Sequence, residues 1–361
     1  VKLNHELRQE QASYVSHSYI IDCALGSNPF GSPPIAAEFL PELLKDIDEY
    51  YSFEHLAELS HQVGQYLGVN SQDLTFTNGS LGALELIFNK LIDRQHRTMI
   101  GIGPQFVEAV SEFKLIGGHY EAIDMFEFND ERDLFGALIN KIHCDKPAIV
   151  YIDNPNNPTG RIYDKENLIK LCQACEQSES LLIVDEAYGE CLLDRQTMAQ
   201  ECKSFPNLVV VRTFSKGLGL AGLRLGYIVS SPTITPYLKE AVALFTPTLP
   251  AMKIASYILP NAKLFVRNNN QMITAYKQQM TAFLEKSGFE VLPSSKQTPI
   301  MLVRKSGDNA SAYLKSIGVS SCCGTHFQST STRVNHEYAR LRIVGNERNL
   351  EQLALRLHTN S

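Results

Sequence analysis

Short apolar runs alternating with stretches of helical periodicity constrain this chain more than any other feature. The runs are LTFT (74–77), TMIGIG (98–103), AIVYID (148–153), LLIVD (181–185), LVVVRTF (208–214) and LGYIV (225–229). Several are continuous and β-branched rather than alternating, as strands covered on both faces are. Amphipathic stretches such as LGALELIFNKLIDR (81–94) and KENLIKLCQACEQ (165–177) lie between them. This alternation predicts an α/β domain with a doubly wound, mostly parallel sheet.

After residue 248 the texture changes. TPTLP (246–250) punctuates the chain, and a long helical pattern follows from Lys253 to Lys286. Then come the strand-like pieces FEVLP (289–293), IMLVR (300–304) and ARLRIVG (339–345), with LEQLALRL (350–357) as a closing helix. The expected division is an irregular N-terminal arm (1–45) that partly joins the small domain, a large domain (46–248) and a small α+β domain (249–361). A length of 361 residues suits two domains. Lys plus Arg number 33 against 39 Asp plus Glu, a net charge of −6 that lacks the basic footprint of a nucleic-acid binder. No apolar run approaches the roughly 18–20 residues of a membrane span, and the first residues lack the apolar core of a signal peptide. The expectation is a cytoplasmic protein with no membrane or nucleic-acid partner. The eight cysteines are scattered through a long chain and read as reduced thiols. Cys172 and Cys175 form a CxxC with no second ligand pair, so no metal is expected, and their helical spacing makes them core residues.

GLGLAG (217–222) fits G-x-G-x-x-G, but the dinucleotide fingerprint needs a helix opening at the last glycines. Here the chain runs straight into Arg224 and the strand LGYIV, which rules that reading out. The residues just before are more informative. TFSKGLGLAGLRLGY sets Lys216 on a tight turn beside Thr213, Ser215 and Arg224, a phosphate-binding composition. A lysine in a partly dry setting loses its proton readily and becomes a nucleophilic amine. YIDNPNNPTGRIY (151–163) and LLIVDEAYGE (181–190) each end a buried strand in polar residues. Ligands of open α/β sheets bind outside the carboxyl ends of the strands, so these motifs aim Asn157, Asp185, Tyr188 and Lys216 into one crevice.

In this order and spacing, the motifs resemble those of the fold-type I aminotransferases that use pyridoxal phosphate (PLP), in particular the histidinol-phosphate aminotransferase branch. The resemblance runs from NPFG (28–31) through NPNNPTG, VDEAY and SKGLGLAGLRLGY to LRIVG (341–345). It implies that Lys216 is the Schiff-base lysine and proton carrier, that Asp185 partners the pyridine nitrogen, and that Asn157 and Tyr188 bond the phenolic oxygen. It places the cofactor phosphate at Gly79, Ser80 and the backbone of Leu81, where a helix opens, with Thr213, Ser215 and Arg224. Phe106 stands where relatives stack an aromatic ring on the pyridine. Asn28, Asn157 and Arg342 are implied substrate contacts, the match of LRIVG favouring Arg342 over Arg340 for the carboxylate. A tyrosine from a second subunit completes the phosphate site, Tyr50 and Tyr51 being the candidates and spacing favouring Tyr51, so a homodimer is implied.

One departure bears on substrate. Relatives that handle phosphorylated substrates carry an Arg-Asp pair where Cys322 and Cys323 stand, and a neutral thiol supplies no charged fork. Arg333 or His326 are candidates to compensate. The implied reaction is ping-pong transfer of an amino group to a 2-oxo acid. The alternatives are a decarboxylase or lyase with the same cofactor, such as a threonine-phosphate decarboxylase, and, remotely, a non-catalytic PLP-binding regulator.

Overall fold

Both faces of the large sheet are covered, and the strand sequences show why. In the computed structural model, which describes residues 20–48, 50, 53–93, 95 and 97–358, seven strands form this sheet. They are β1 (Leu74–Thr77), β2 (Thr98–Gly103), β3 (His119–Asp124), β4 (Ile149–Asp153), β5 (Leu181–Asp185), β6 (Leu208–Thr213) and β7 (Gly226–Ser230). Their order is β1-β7-β6-β5-β4-β2-β3, parallel throughout except that β7 runs antiparallel to both neighbours. Successive side chains of a strand point to opposite faces. Val150, Ile152, Leu182 and Val184 accordingly enter one core while Ile149, Tyr151, Ile183 and Val209 enter the other.

Of the first seven helices, α1 (Leu40–Leu44) belongs to the arm region and α2 (Phe53–Leu67) packs on the first core. Next come α3 (Gly79–Leu86) and α4 (Val107–Leu115), which cover the second. The first core also takes α5 (Glu131–Asp145) and α6 (Lys165–Gln177), and the second takes α7 (Thr235–Ala241). The apolar face of α6 buries Cys172 and Cys175, and burial pushes both thiols up.

The division expected at residue 248 falls at the first turn of a helix that serves both domains. This helix, α8 (Leu249–Lys286), is 38 residues long. Its first half, from Leu249 to Ala262, is part of the large-domain core, whereas Ile273, Met280 and Leu284 belong to the small-domain core. The small sheet contains β8 (Glu290–Val291), β9 (Ile300–Arg304), β10 (Cys322–Cys323) and β11 (Tyr338–Arg342) in the order β10-β11-β9-β8. It is flanked by α9 (Ala310–Ser316) and α10 (Glu347–His358). Ile21 and Cys23 of the arm lie in the core beneath this small sheet, with Ile21 bridged to Val319.

A buried ionic group ties β6 to the segment after β5. Arg212 donates to Glu186 (3.2 Å) and Glu190 (3.1 Å), all three side chains being nearly inaccessible. Thr197 Oγ1 and the Met198 amide supply further bonds to Glu186. Removing one member of a buried pair strands the other's charge at a cost of about 3–5 kcal/mol. Arg212→Met is therefore expected to destabilise the fold by about that amount in urea unfolding. A change below 1 kcal/mol would show that the carboxyls are neutral without it.

Candidate active site

Strands β1, β4, β5 and β6 end at one edge of the sheet, and β7 begins there, with Gly226 opposite both Thr77 and Thr213. Each strand delivers one part of a crevice to this edge. Asp185, the last residue of β5, is buried and accepts hydrogen bonds from Tyr151 Oη (2.9 Å) and the Ala187 amide (2.9 Å). Burial lifts its carboxyl to about 6, against those two bonds and the nearby Lys216 charge. Lys216 lies on the turn after β6, its Nζ 5.6 Å from the centre of the Tyr188 ring. Burial lowers its ammonium to about 8; Arg340 adds to the push, and Glu108 and Asp185 oppose it. The Tyr188 hydroxyl is pushed up to about 12 by burial.

Asp153, at the end of β4, organises the neighbouring loops. Its carboxylate accepts from the amides of Asn157 (2.9 Å) and Phe106 (3.0 Å) and from Asn156 Nδ2 (2.8 Å). Asn157 in turn accepts from Arg340 of β11 at 3.1 Å. The arm crosses the crevice: Asn28 Nδ2 donates to the Gly217 carbonyl at 2.8 Å, and Tyr188 Oη reaches the Gly26 carbonyl at 3.5 Å. A Cβ on Gly26 would stand 2.4 Å from Tyr188 Oη and 3.2 Å from Lys216 Nζ, so the arm has no room there for a side chain.

Beside the lysine is an anion seat. Thr213 Oγ1 donates to Ser215 Oγ (3.0 Å), which also accepts from Arg224 (3.4 Å). Arg224 lies against the opening of α3, where Gly79 has φ +76° and its Cβ would come within 2.7 Å of the guanidinium. Asn78 leaves the first amides of α3, those of Gly79, Ser80 and Leu81, without a side-chain cap. Helix N-termini of this kind favour anions.

The sequence profile of the family "Aminotransferase class I and II" matches residues 20–357. The chain belongs to this family. A histidinol-phosphate aminotransferase of Ruminiclostridium cellulolyticum is 27% identical over 322 residues, covering 84% of this chain and 85% of the relative. Among solved structures, a histidinol-phosphate aminotransferase from Sinorhizobium meliloti in complex with pyridoxal-5'-phosphate superposes with TM-score 0.81 at 20% identity, covering 95% of this chain and 92% of that one. An L-threonine-O-3-phosphate decarboxylase from Porphyromonas gingivalis shares the fold at TM-score 0.71 and 20% identity, covering 94% and 99%. The protein is thus an aminotransferase of the fold-type I architecture, and PLP is its cofactor.

The residues present suit that cofactor. Gly79 leaves the space beside Arg224 that a side chain would fill, and the donors around it are those a phosphate monoester takes. Asp185 supplies a buried carboxyl and Lys216 a half-buried amine, groups whose chemistry suits a basic ring nitrogen and an aldehyde carbon.

Of the aminotransferase residues expected from sequence, Lys216, Asp185, Tyr188, Asn157 and Phe106 surround the crevice, and Gly79, Thr213, Ser215 and Arg224 form the anion seat. Tyr51 lies outside the described residues, while Tyr50 is exposed and stacks on Phe245 at 4.1 Å between ring centres. Arg333 faces Glu127 (3.5 Å) on the surface, and His326 pairs with Glu108 of α4 at 3.4 Å. Sequence reasoning passed over Tyr151, Gly26 and the organising role of Asp153. Tyr151 reads as a core strand residue, and only its register beside Asp185 shows that its hydroxyl has a task. Among the described residues, no cluster of His, Cys, Asp and Glu could hold a metal ion, and no helix is long and apolar enough to cross a membrane.

Proposed function

We propose that Lys216 is the reacting amine and proton carrier of an amino-group transfer to a 2-oxo acid. When bound, PLP supplies an electron sink for the electron pair left at the substrate Cα. The chain's residues divide the remaining work. Lys216 Nζ gives and takes the proton at Cα, its lowered proton affinity keeping a share of neutral amine near neutral pH. Asp185 holds a proton at the ring nitrogen, with Tyr151 and the Ala187 amide fixing its orientation. Asn157 and Tyr188 orient the phenolic oxygen, Phe106 covers one ring face, and the α3 amides with Thr213, Ser215 and Arg224 hold the phosphate. A guanidinium of β11 receives the substrate carboxylate. Donor and acceptor share this one crevice, so the first product leaves before the second substrate enters, which is ping-pong kinetics.

The observation that carries this reading is the placement of a half-buried lysine with lowered proton affinity after β6, beside the two strand ends that supply Asp185 with Tyr188 and Asn157. The test is a panel of amino donors, histidinol phosphate included because relatives bear that name, scored for bleaching of the PLP-lysine absorption band. A protein that takes up no PLP overturns the reading. Release of CO2 without consumption of a 2-oxo acid would move it to decarboxylation.

The pH dependence has a definite sign. Cofactor capture needs the neutral amine, so its rate in protein stripped of PLP is expected to rise about tenfold per pH unit and level off near pH 8. A rise continuing to pH 10 would mean an ordinary lysine.

A homodimer fits the surface. Leu40, Leu44, Ile47, Tyr50, Phe53 and Leu244 are exposed, and the Tyr50–Phe245 stack joins the segment before α2 to the one before α8. Apolar exposure of this extent marks an interaction surface, and a second copy of the chain is the partner that fits it.

A further inference from the structure

Lys277, in the half of α8 that serves the small-domain core, buries its ammonium where the two domains join. Its Nζ donates to Ser294 Oγ (2.7 Å), to the carbonyls of Ser295 (2.7 Å), Thr298 (3.0 Å) and Ile300 (2.7 Å), and to Thr298 Oγ1 (2.9 Å). An ammonium has only three hydrogens, so these oxygens surround it as a shell rather than pair with it one by one. All are uncharged, and no carboxylate among the described residues offsets the buried charge. Neutral carbonyl and hydroxyl oxygens that close on a charge replace its hydration shell, as they do for monovalent metal cations. Burial lowers the ammonium to about 7, and of the titratable groups around it only the Cys191 thiol opposes. A charged head fills the shell below neutral pH, and a neutral amine with one donor fewer fills it above.

The same oxygens bear on the reaction site from two sides. Gly160 closes the NPNNPTG turn with φ +73°, and a Cβ there would collide with the Ile300 carbonyl oxygen, Ser294 Oγ and Thr298 Oγ1. Its carbonyl accepts from Thr298 Oγ1 (2.8 Å) and from the Ser295 amide (3.0 Å), and its amide donates to the Asn156 carbonyl (2.8 Å). The turn that presents Asn157 is thus seated directly on the shell. On the other side, Ile300 forms a buried cluster with Tyr188 and Cys191. Asn157 and Tyr188, which share the phenolic oxygen in the reading above, are therefore both backed by residues that Lys277 holds.

We propose that this shell is a monovalent-cation site occupied by the chain's own ammonium, and that Lys277 is thereby a positioning residue for Asn157 and Tyr188. The positioning role rests on the aminotransferase reading above, whereas the cation site stands on the fold alone. Emptied of the side chain, the shell accepts a dehydrated potassium ion, which takes neutral oxygens of this kind. It refuses tetramethylammonium, which is wider and has no N–H to donate. Asn157 and Tyr188 donate to the phenolic oxygen and favour its anionic form, so loosening them raises the pH at which the PLP-lysine band titrates.

The test compares the full chain with Lys277→Ala and Lys277→Met, each saturated with PLP, in potassium chloride and in tetramethylammonium chloride at pH 6. Amide hydrogen exchange over residues 156–160 and 294–300 reads the shell, with residues 98–103 of β2 as reference. The absorption band reads the site. In tetramethylammonium chloride both variants are expected to exchange about tenfold faster than wild type over the two segments but not over β2, and to raise the band's titration midpoint by about half a pH unit. Potassium is expected to return Lys277→Ala most of the way to wild type in both readouts. It should leave unchanged both wild type and Lys277→Met, whose side chain still fills the space. Protection of the two segments in wild type is expected to fall as pH rises through 7, a change that the potassium-filled alanine variant lacks. Variants that match wild type, acceleration that extends equally to β2, an unmoved band, or potassium without effect on Lys277→Ala each overturn the proposal. If neither variant folds, the wild-type series decides, and protection that stays level through pH 7 overturns the proposal. A wild type that takes up no PLP removes the aminotransferase reading, and exchange on the same chain then still decides the cation site.

Discussion

Lys216→Ala is expected to lower turnover by about 10⁴-fold or more, because in the proposed reading one side chain serves as both nucleophile and proton carrier. The variant should still bind PLP through the phosphate seat, since Gly79, Thr213, Ser215 and Arg224 are untouched. Its spectrum should then be that of the free aldehyde, without the lysine-bound band. Far-ultraviolet circular dichroism should match the wild type, because Lys216 makes no hydrogen bond that holds a strand: the Gly219 amide bonds its backbone carbonyl, which alanine retains. Turnover within tenfold of wild type would assign the amine to another lysine. Among the described residues the fully buried lysines are Lys253 and Lys277. Lys253 Nζ is tied to the carbonyls of Glu42 and Lys45, and Lys277 Nζ to five oxygens of the 294–300 segment. Neither faces the strand ends.

Asp185→Asn is expected to give effects of opposite sign on activity and on stability. In the proposed reading, loss of the carboxylate removes the group that would keep the cofactor nitrogen protonated, and preorganised electrostatics of this kind are worth about 10²–10³-fold in rate. Stability of the PLP-free protein should move the other way. Burial raises the Asp185 carboxyl from the usual carboxylate range to about 6, so the folded chain binds its proton more tightly than the unfolded chain does. Such a group destabilises the fold above about pH 6, and that penalty is relieved as pH falls through 6 towards 4. The neutral amide carries no such penalty. At pH 8 the PLP-free variant should be about 1–3 kcal/mol more stable than PLP-free wild type, a difference that vanishes by pH 4. Urea titrations at the two pH values check this. A variant less stable at pH 8 would mean that the bonds from Tyr151 and Ala187 outweigh the cost of burying the charge.

How much was legible in the sequence follows from where the information resides. Strands buried on both faces announce themselves as apolar runs, and β1, β5 and β9 occupy the residues expected of them. Strand β3 has only one well-buried residue, Tyr120, and HYEAID carries no continuous apolar signal at the sheet edge. The two-residue strand β10 is too short to show a period. Residues of the crevice that follow a strand directly were legible for the same reason as the strands. Contacts between distant segments were not: Asn157 with Arg340, Asn28 with Gly217, and Gly26 against Lys216 depend on how the small domain and the arm dock. The ion pairs of Arg212 were equally hidden, because buried charge is visible in sequence only once its partner is known.

The arm's attachments carry a consequence for the order in which the site can be completed. The Cys23 amide donates to Ser320 Oγ across 297 residues, and the Cys23 carbonyl accepts from Arg342. The arm around Cys23 therefore finds its place only after β11, which is made about 300 residues later, is available to hold it. A chain truncated before residue 320 lacks both Ser320 and Arg342, so the segment that closes over Lys216 loses these fastenings. Integrity of the small sheet is in this sense a condition for order in the arm, and damage far from the lysine should be felt first as a loosened cover over it.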